Sequence, residues 1–98
     1  MQTLTAIIRA KPGHEAKVRD ALVKVGEFVR DNEPDTIDFF VAQNPDDPCV
    51  FTTYERFTGK AAMDRHNQGA GSRGFFAEAG DSIDGAVTVV TAVEVFER

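Results

Sequence analysis

Few side chains in this sequence can move a proton or attack a substrate at neutral pH. They are His14, His66, Cys49 and Tyr54, with Glu55 next to the tyrosine. His66 follows Ala62 by four residues and Met63 by three, so in a helix it shares their apolar stripe and points at whatever that stripe packs on. An imidazole titrating near neutral pH at such a place is suited to general-base work. A packed histidine that holds the helix end is the alternative. Tyr54 and Glu55 are neighbours in an extended run and must project to opposite faces of a sheet. Only one of them can join His66, and the sequence leaves open which. A glutamate on a buried face needs a partner or a raised pKa. Arg56, Arg65 and Arg73 are available, and a structural ion pair at a subunit interface is the competing role for Glu55. A nucleophilic Cys49–His66 pair is conceivable, but a cysteine opening a strand is more simply a packing residue.

Other chemistries are poorly supported. Two histidines far apart and one cysteine do not make a zinc site, and Asp46-Asp47 in a proline turn lacks the spacing of a calcium loop, so no metal is expected. Gly69-Ala70-Gly71-Ser72-Arg73-Gly74 matches G-x-G-x-x-G, but a helix precedes it and no βαβ unit surrounds it. It reads as a flexible loop, with the role of a lid over a pocket open to it. A net charge of −5 argues against nucleic acid and against an anionic membrane surface. The longest apolar stretch, Ala86 to Val93, is too short to span a bilayer, no signal peptide is expected at the N-terminus, and one cysteine fits a reducing compartment. A cytoplasmic location is expected.

The elements that position these residues follow from periodicity. Thr3–Arg9 is β-branched and ends at Lys11-Pro12-Gly13, a strand and a turn. His14–Asp31 is a helix, with Val18, Ala21, Leu22, Val25, Phe28 and Val29 forming its apolar stripe; Asn32 is placed to close it in a left-handed conformation and Pro34 to stop it resuming. Thr36–Gln43 and Val50–Phe57 form a hairpin around Asn44-Pro45-Asp46-Asp47-Pro48. Thr58 is the expected N-cap of a second helix that runs to about Asn67 and, after the glycine loop, Phe75–Ala79 forms one more helical turn. Gly85–Phe96 is a long last strand. The order is β-α-β-β-α-β, an α+β ferredoxin-like plan in one domain of 98 residues with an antiparallel sheet.

Two helices cover one face of such a sheet. The second and last strands carry apolar residues on both sides, with Phe39 and Val41 opposing Phe40 and Ala42, so a homodimer packed sheet to sheet is expected. The segment from Gly69 to Asp84 folding over that face is the alternative. The eight phenylalanines supply most of the core, and Phe39, Phe40, Phe51, Phe57, Phe75 and Phe76 are candidates to line a flat apolar cavity.

Glu33-Pro34-Asp35-Thr36, the hairpin, Val50-Phe51-Thr52-Thr53-Tyr54-Glu55-Arg56-Phe57, Ala61-Ala62 and His66 together resemble the antibiotic biosynthesis monooxygenase family, which includes small quinol monooxygenases and anthrone oxygenases. The resemblance implies a dimeric α+β barrel with a substrate cavity between helices and sheet in each subunit. It implies oxidation of an electron-rich aromatic (a quinol, anthrone or polyketide-like phenol) by dioxygen without flavin, haem or metal. His66 and Tyr54 would then be catalytic, Phe40, Phe51, Met63, Phe75 and Phe76 would bind substrate, and Glu55 and Phe39 would be structural or interface residues. Members often carry a second histidine where this chain has Ser72-Arg73-Gly74, and haem-degrading relatives rely on a tryptophan that is lacking here. A non-oxidative isomerase or cyclase, or a binding dimer without chemistry, are the other functions this scaffold carries.

Overall fold

The computed structural model describes residues 1–98. Four strands, β1 (Gln2–Arg9), β2 (Thr36–Gln43), β3 (Val50–Phe57) and β4 (Thr88–Val93), form one antiparallel sheet in the order β2-β3-β1-β4. Helices α1 (Glu15–Asn32), α2 (Lys60–Gln68) and α3 (Ala70–Ala79) complete the fold, with a short 3-10 turn at Gly80–Ser82. This is the ferredoxin-like α+β architecture expected from the sequence, with one more helix. No helix is long and apolar enough to cross a membrane.

The core lies between the helices and one face of the sheet. Leu4, Ala6, Ile8, Phe51 and Phe57 face Val18, Leu22, Val25 and Val29 of α1 and Ala62, Met63 and Phe75 of the other helices. Alternation along β3 puts Phe51, Thr53, Glu55 and Phe57 under the helices and leaves Thr52 and Tyr54 on the opposite, open face. The open face is mixed: Ile7, Phe40, Tyr54 and Val90 are exposed there, separated by threonines.

Four local expectations are corrected. The glycine segment is a helix: α3 begins at Ala70, five residues before the expected turn. Gly71 within it and Gly69 just before it serve close packing, whereas Gly74 is open. A Cβ on Gly71 would lie 2.9 Å from Phe28 Cδ1, and one on Gly69 would lie 2.9 Å from the Arg65 carbonyl oxygen. Tertiary contact with α1 thus outweighs the poor helix propensity of glycine. Strand β4 is shorter than Gly85–Phe96 because its partner runs out, Val93 pairing with Gln2, while Gly85 turns the chain at φ +76° at the other end. Asn32 does not adopt a left-handed conformation; it ends α1 in helical register and its side-chain amide donates to the Phe28 carbonyl. Gly59, not Thr58, occupies the N-cap of α2, and no side chain caps that end.

Candidate active site

His66 projects from the last turn of α2 onto the covered face of the sheet, as its spacing requires, and is 5% exposed. Two carboxylates flank it. Its Nδ1 lies 2.7 Å from Glu33 Oε1 and its Nε2 lies 3.1 Å from Glu55 Oε1. Each carboxylate is also held by a threonine: Thr36 Oγ1 donates to Glu33 Oε1 at 2.9 Å, and Thr53 Oγ1 donates to Glu55 Oε2 at 2.8 Å. Nε2 is near Glu55 Oε1 but off the line of a good hydrogen bond, so that buried oxygen has no well-aligned donor. The rings of Phe57 and Phe39 pack on the imidazole with centroids at 5.4 and 5.8 Å. Burial alone would lower the imidazole pKa, but the two adjoining carboxylates, Glu55 and Glu33, outweigh it and raise the pKa above its ordinary value.

This array forms part of the wall of a cavity of about 120 Å³ between helices and sheet. Leu4, Leu22, Phe39, Phe75, Phe76 and Val89 supply apolar wall, and Thr53, Glu55, His66, Asn67 and Ser72 supply the polar groups. On the other side of the imidazole lies a larger, more polar cleft of about 280 Å³, lined by Phe28, Asn32, Glu33, Asp35, Arg65 and His66 among others. The two carboxylates sit on opposite ring nitrogens and do not converge on a common point. No cluster of three or more His, Cys, Asp or Glu side chains is placed to hold a metal ion.

The residues singled out in the sequence separate into two groups. His66, Phe75 and Phe76 meet at the cavity, and Glu55 and Phe39, read as structural, line it as well. Tyr54 and Phe40 do not: they pair with each other across β2 and β3 on the open face, so the tyrosine cannot act beside His66 in the same subunit. Phe51 and Met63 are buried in the core without lining the cavity. No arginine accompanies Glu55. Arg56 pairs with Asp38, Glu94 and Glu97 on the open face, and Arg65 pairs with Asp35. Cys49 is distant from His66, with Lys11 as its neighbour. His14 is hydrogen-bonded through Nδ1 to Ser82 Oγ and takes no part in the cavity.

Glu33 opens one of the stretches that carry the family resemblance but was given no site role from the sequence, although one signal was present. It follows directly on the C-terminal turn of α1, where the helix dipole disfavours an acid. A carboxylate kept there needs a compensating donor, and His66 with Thr36 supplies it.

Comparison with known proteins agrees with this architecture. The sequence profile described as antibiotic biosynthesis monooxygenase matches residues 1–78, a span that contains Glu33, Glu55 and His66. A Nitrosomonas europaea structure provisionally named an antibiotic biosynthesis monooxygenase superposes with a TM-score of 0.89 at 18% identity, covering 98% of this chain and 100% of that chain. A Mycobacterium tuberculosis protein superposes with a TM-score of 0.88 at 18% identity, covering 98% of this chain and 96% of the other. A further structure, named an antibiotic biosynthesis monooxygenase, gives 0.85 at 23% identity, covering 97% and 99%. At these identities the likeness establishes the fold. No curated protein matches significantly. The profile match extends over most of the sequence and the shared fold over nearly all of it; the chain belongs to the antibiotic biosynthesis monooxygenase family.

Proposed function

We propose that the protein is a cofactor-independent monooxygenase that oxidises an electron-rich phenol or quinol with dioxygen. The observation that carries this reading is the imidazole between two carboxylates, set into the wall of an apolar cavity. An engineered apolar cavity of about 150 Å³ takes up benzene, so a space of this size suits about one aromatic ring. The ring would lie among Phe39, Phe75 and Phe76, with its hydroxyl toward His66 and Glu55. One of these two removes the hydroxyl proton. The phenolate passes one electron to dioxygen, and the two radicals combine with formation of a carbon–oxygen bond. The stored proton returns to the resulting peroxide; the hydrogen on the oxygenated ring carbon then leaves as a proton while the O–O bond breaks, giving a quinone and one water. Such a reaction asks the protein to orient the ring, hold a proton and exclude water, and it needs no flavin, haem or metal.

The same reading includes a homodimer in the cytoplasm. Ile7, Phe40, Tyr54 and Val90 present exposed apolar surface on one side of the sheet, and a second copy packed face to face would cover it. Tyr54 and Phe40 become interface residues in this arrangement. Sedimentation equilibrium tests it: a Phe40→Asp variant is expected to shift from dimer to monomer, and a wild-type protein that is monomeric at micromolar concentration refutes the pairing.

Oxygen uptake with a panel of hydroquinones and naphthols tests the chemistry. Turnover is expected in air, with loss in His66→Ala and no turnover under nitrogen. The acid–base array is equally equipped to move protons in an isomerisation of a carbonyl compound, and turnover that persists under nitrogen would establish that reading instead.

A further inference from the structure

His66 is a wall shared by two spaces. It is the only residue that lines both the inner cavity and the outer cleft. Glu55 lies on the cavity side of the ring and Glu33 on the cleft side. The three groups form a row across the imidazole, in which Glu55 and His66 are nearly buried, at 6% and 4% side-chain exposure, and Glu33 is the most exposed, at 17%. The short contact is the outer one, 2.7 Å from Nδ1 to Glu33 Oε1, and Thr36 fixes the same oxygen. The remaining charged groups at the cleft, Arg65 and Asp35, neutralise each other at 2.9 Å, and Glu55 and His66 are the titratable groups of the cavity wall.

We infer that Glu33 is the solvent-side port of a proton relay, exchanging protons between His66 and the outer cleft while the inner cavity is closed by its occupant. In the outward step the Nδ1–H bond breaks and an O–H bond forms on the Glu33 carboxylate. The imidazolium becomes neutral, the carboxylate becomes a carboxylic acid, and that acid releases the proton to water in the cleft. The reverse step recharges the ring. No electron moves. The catalytic use of this relay rests on the oxygenase reading above, because a base enclosed with an apolar substrate has no other titratable outlet. The exchange itself requires no substrate.

The test is the rate at which the His66 Nδ1 proton exchanges with water, measured by nuclear magnetic resonance on isotope-labelled imidazole in the wild type, E33Q, E33D and E55Q. Glutamine keeps the shape of Glu33 and an acceptor for Nδ1 but cannot carry the proton. Exchange in E33Q is expected to slow by at least about tenfold, with most of the rate restored in E33D and little change in E55Q. If Glu33 only shields the ring, E33Q exchanges as fast as the wild type or faster, and the relay is refuted. If E33Q melts early, E33A decides the matter: slow exchange restored by added formate supports the port, and exchange as fast as the wild type without it refutes the port. Quinol turnover separates this inference from the one beneath it. Wild-type protein that oxidises no quinol but shows the E33Q slowing removes the oxygenase reading and leaves the port. Active protein whose exchange is indifferent to E33Q removes the port and leaves the oxygenase.

Discussion

The two faces of the sheet treat charge in opposite ways, although β3 supplies both. On the covered side it contributes Thr53 and Glu55; on the open side it contributes Tyr54 and Arg56. Arg56 gathers Asp38 at 2.8 Å, Glu94 at 3.0 Å and Glu97 at 2.7 Å, tying β2, β3 and the segment after β4 together. Its hydrogen bonds to Glu94, Asp38 and Glu97 raise a guanidinium pKa that is already far above neutrality, so this cation stays charged at all ordinary pH. The covered side replaces the arginine with an imidazole, whose proton can leave. A fixed cation makes a clamp, and a titratable one between two acids makes a candidate reactive centre.

That contrast can be broken most severely at the imidazole. His66→Ala is expected to lower quinol turnover by about 10²–10⁴-fold, the range of a lost general base, whereas Tyr54→Phe on the other face should leave turnover nearly unchanged. Steady-state oxygen consumption with both variants checks it, and a comparable loss in Tyr54→Phe would erase the distinction between the faces. Next in size is Phe57→Ala. This fully buried ring packs on His66, and its removal is expected to cost about 3–5 kcal/mol in urea denaturation.

The covering layer gives a smaller effect of either sign. Gly71→Ala drives a methyl against Phe28 and is expected to destabilise by about 1–3 kcal/mol. Gly74→Ala, three residues on in the same helix and open to solvent, is expected to stabilise by about 0.5–1 kcal/mol. Thermal melts of the two variants should therefore move in opposite directions. A common direction would return these glycines to the role of flexible loop residues.

The pH dependence is the finest test. A histidine whose pKa is raised on folding stabilises the native state fully below its unfolded pKa, and the contribution is lost as pH rises through the folded value. Stability should thus fall as pH rises from about 6.5, the ordinary imidazole value, through the higher folded value in the wild type, and lose this component in His66→Gln. The arginine cluster should contribute no slope in that window.

Much of this was legible in the sequence. The bounds of β2 and β3 coincide with the expected ones, because turn residues punctuate both ends of the hairpin. The inward direction of His66 followed from helical spacing to Ala62 and Met63. Alternation also stated that Tyr54 and Glu55 part company, but which one goes inward depends on how β3 is registered against β1 and β2, a long-range fact. Glu33 was hidden for the same reason: it meets His66 only when the end of α1 is brought beside α2. The start of α3 was obscured because glycine speaks against a helix locally, and the contact with Phe28 that overrides this preference lies far away in the chain.

The edge strand has one more consequence. All of β4 is exposed, and Val89 on it, with Phe76 on α3, forms the rim of the cavity at about half exposure. The threonines, acids and imidazole that would do the chemistry come from other elements. On the oxygenase reading, selectivity and reactivity would therefore be housed on separate pieces of chain. A doorway of this kind can be widened, narrowed or made polar by single substitutions while the groups behind it are left intact, which would give one scaffold a direct route to ligands of other shapes.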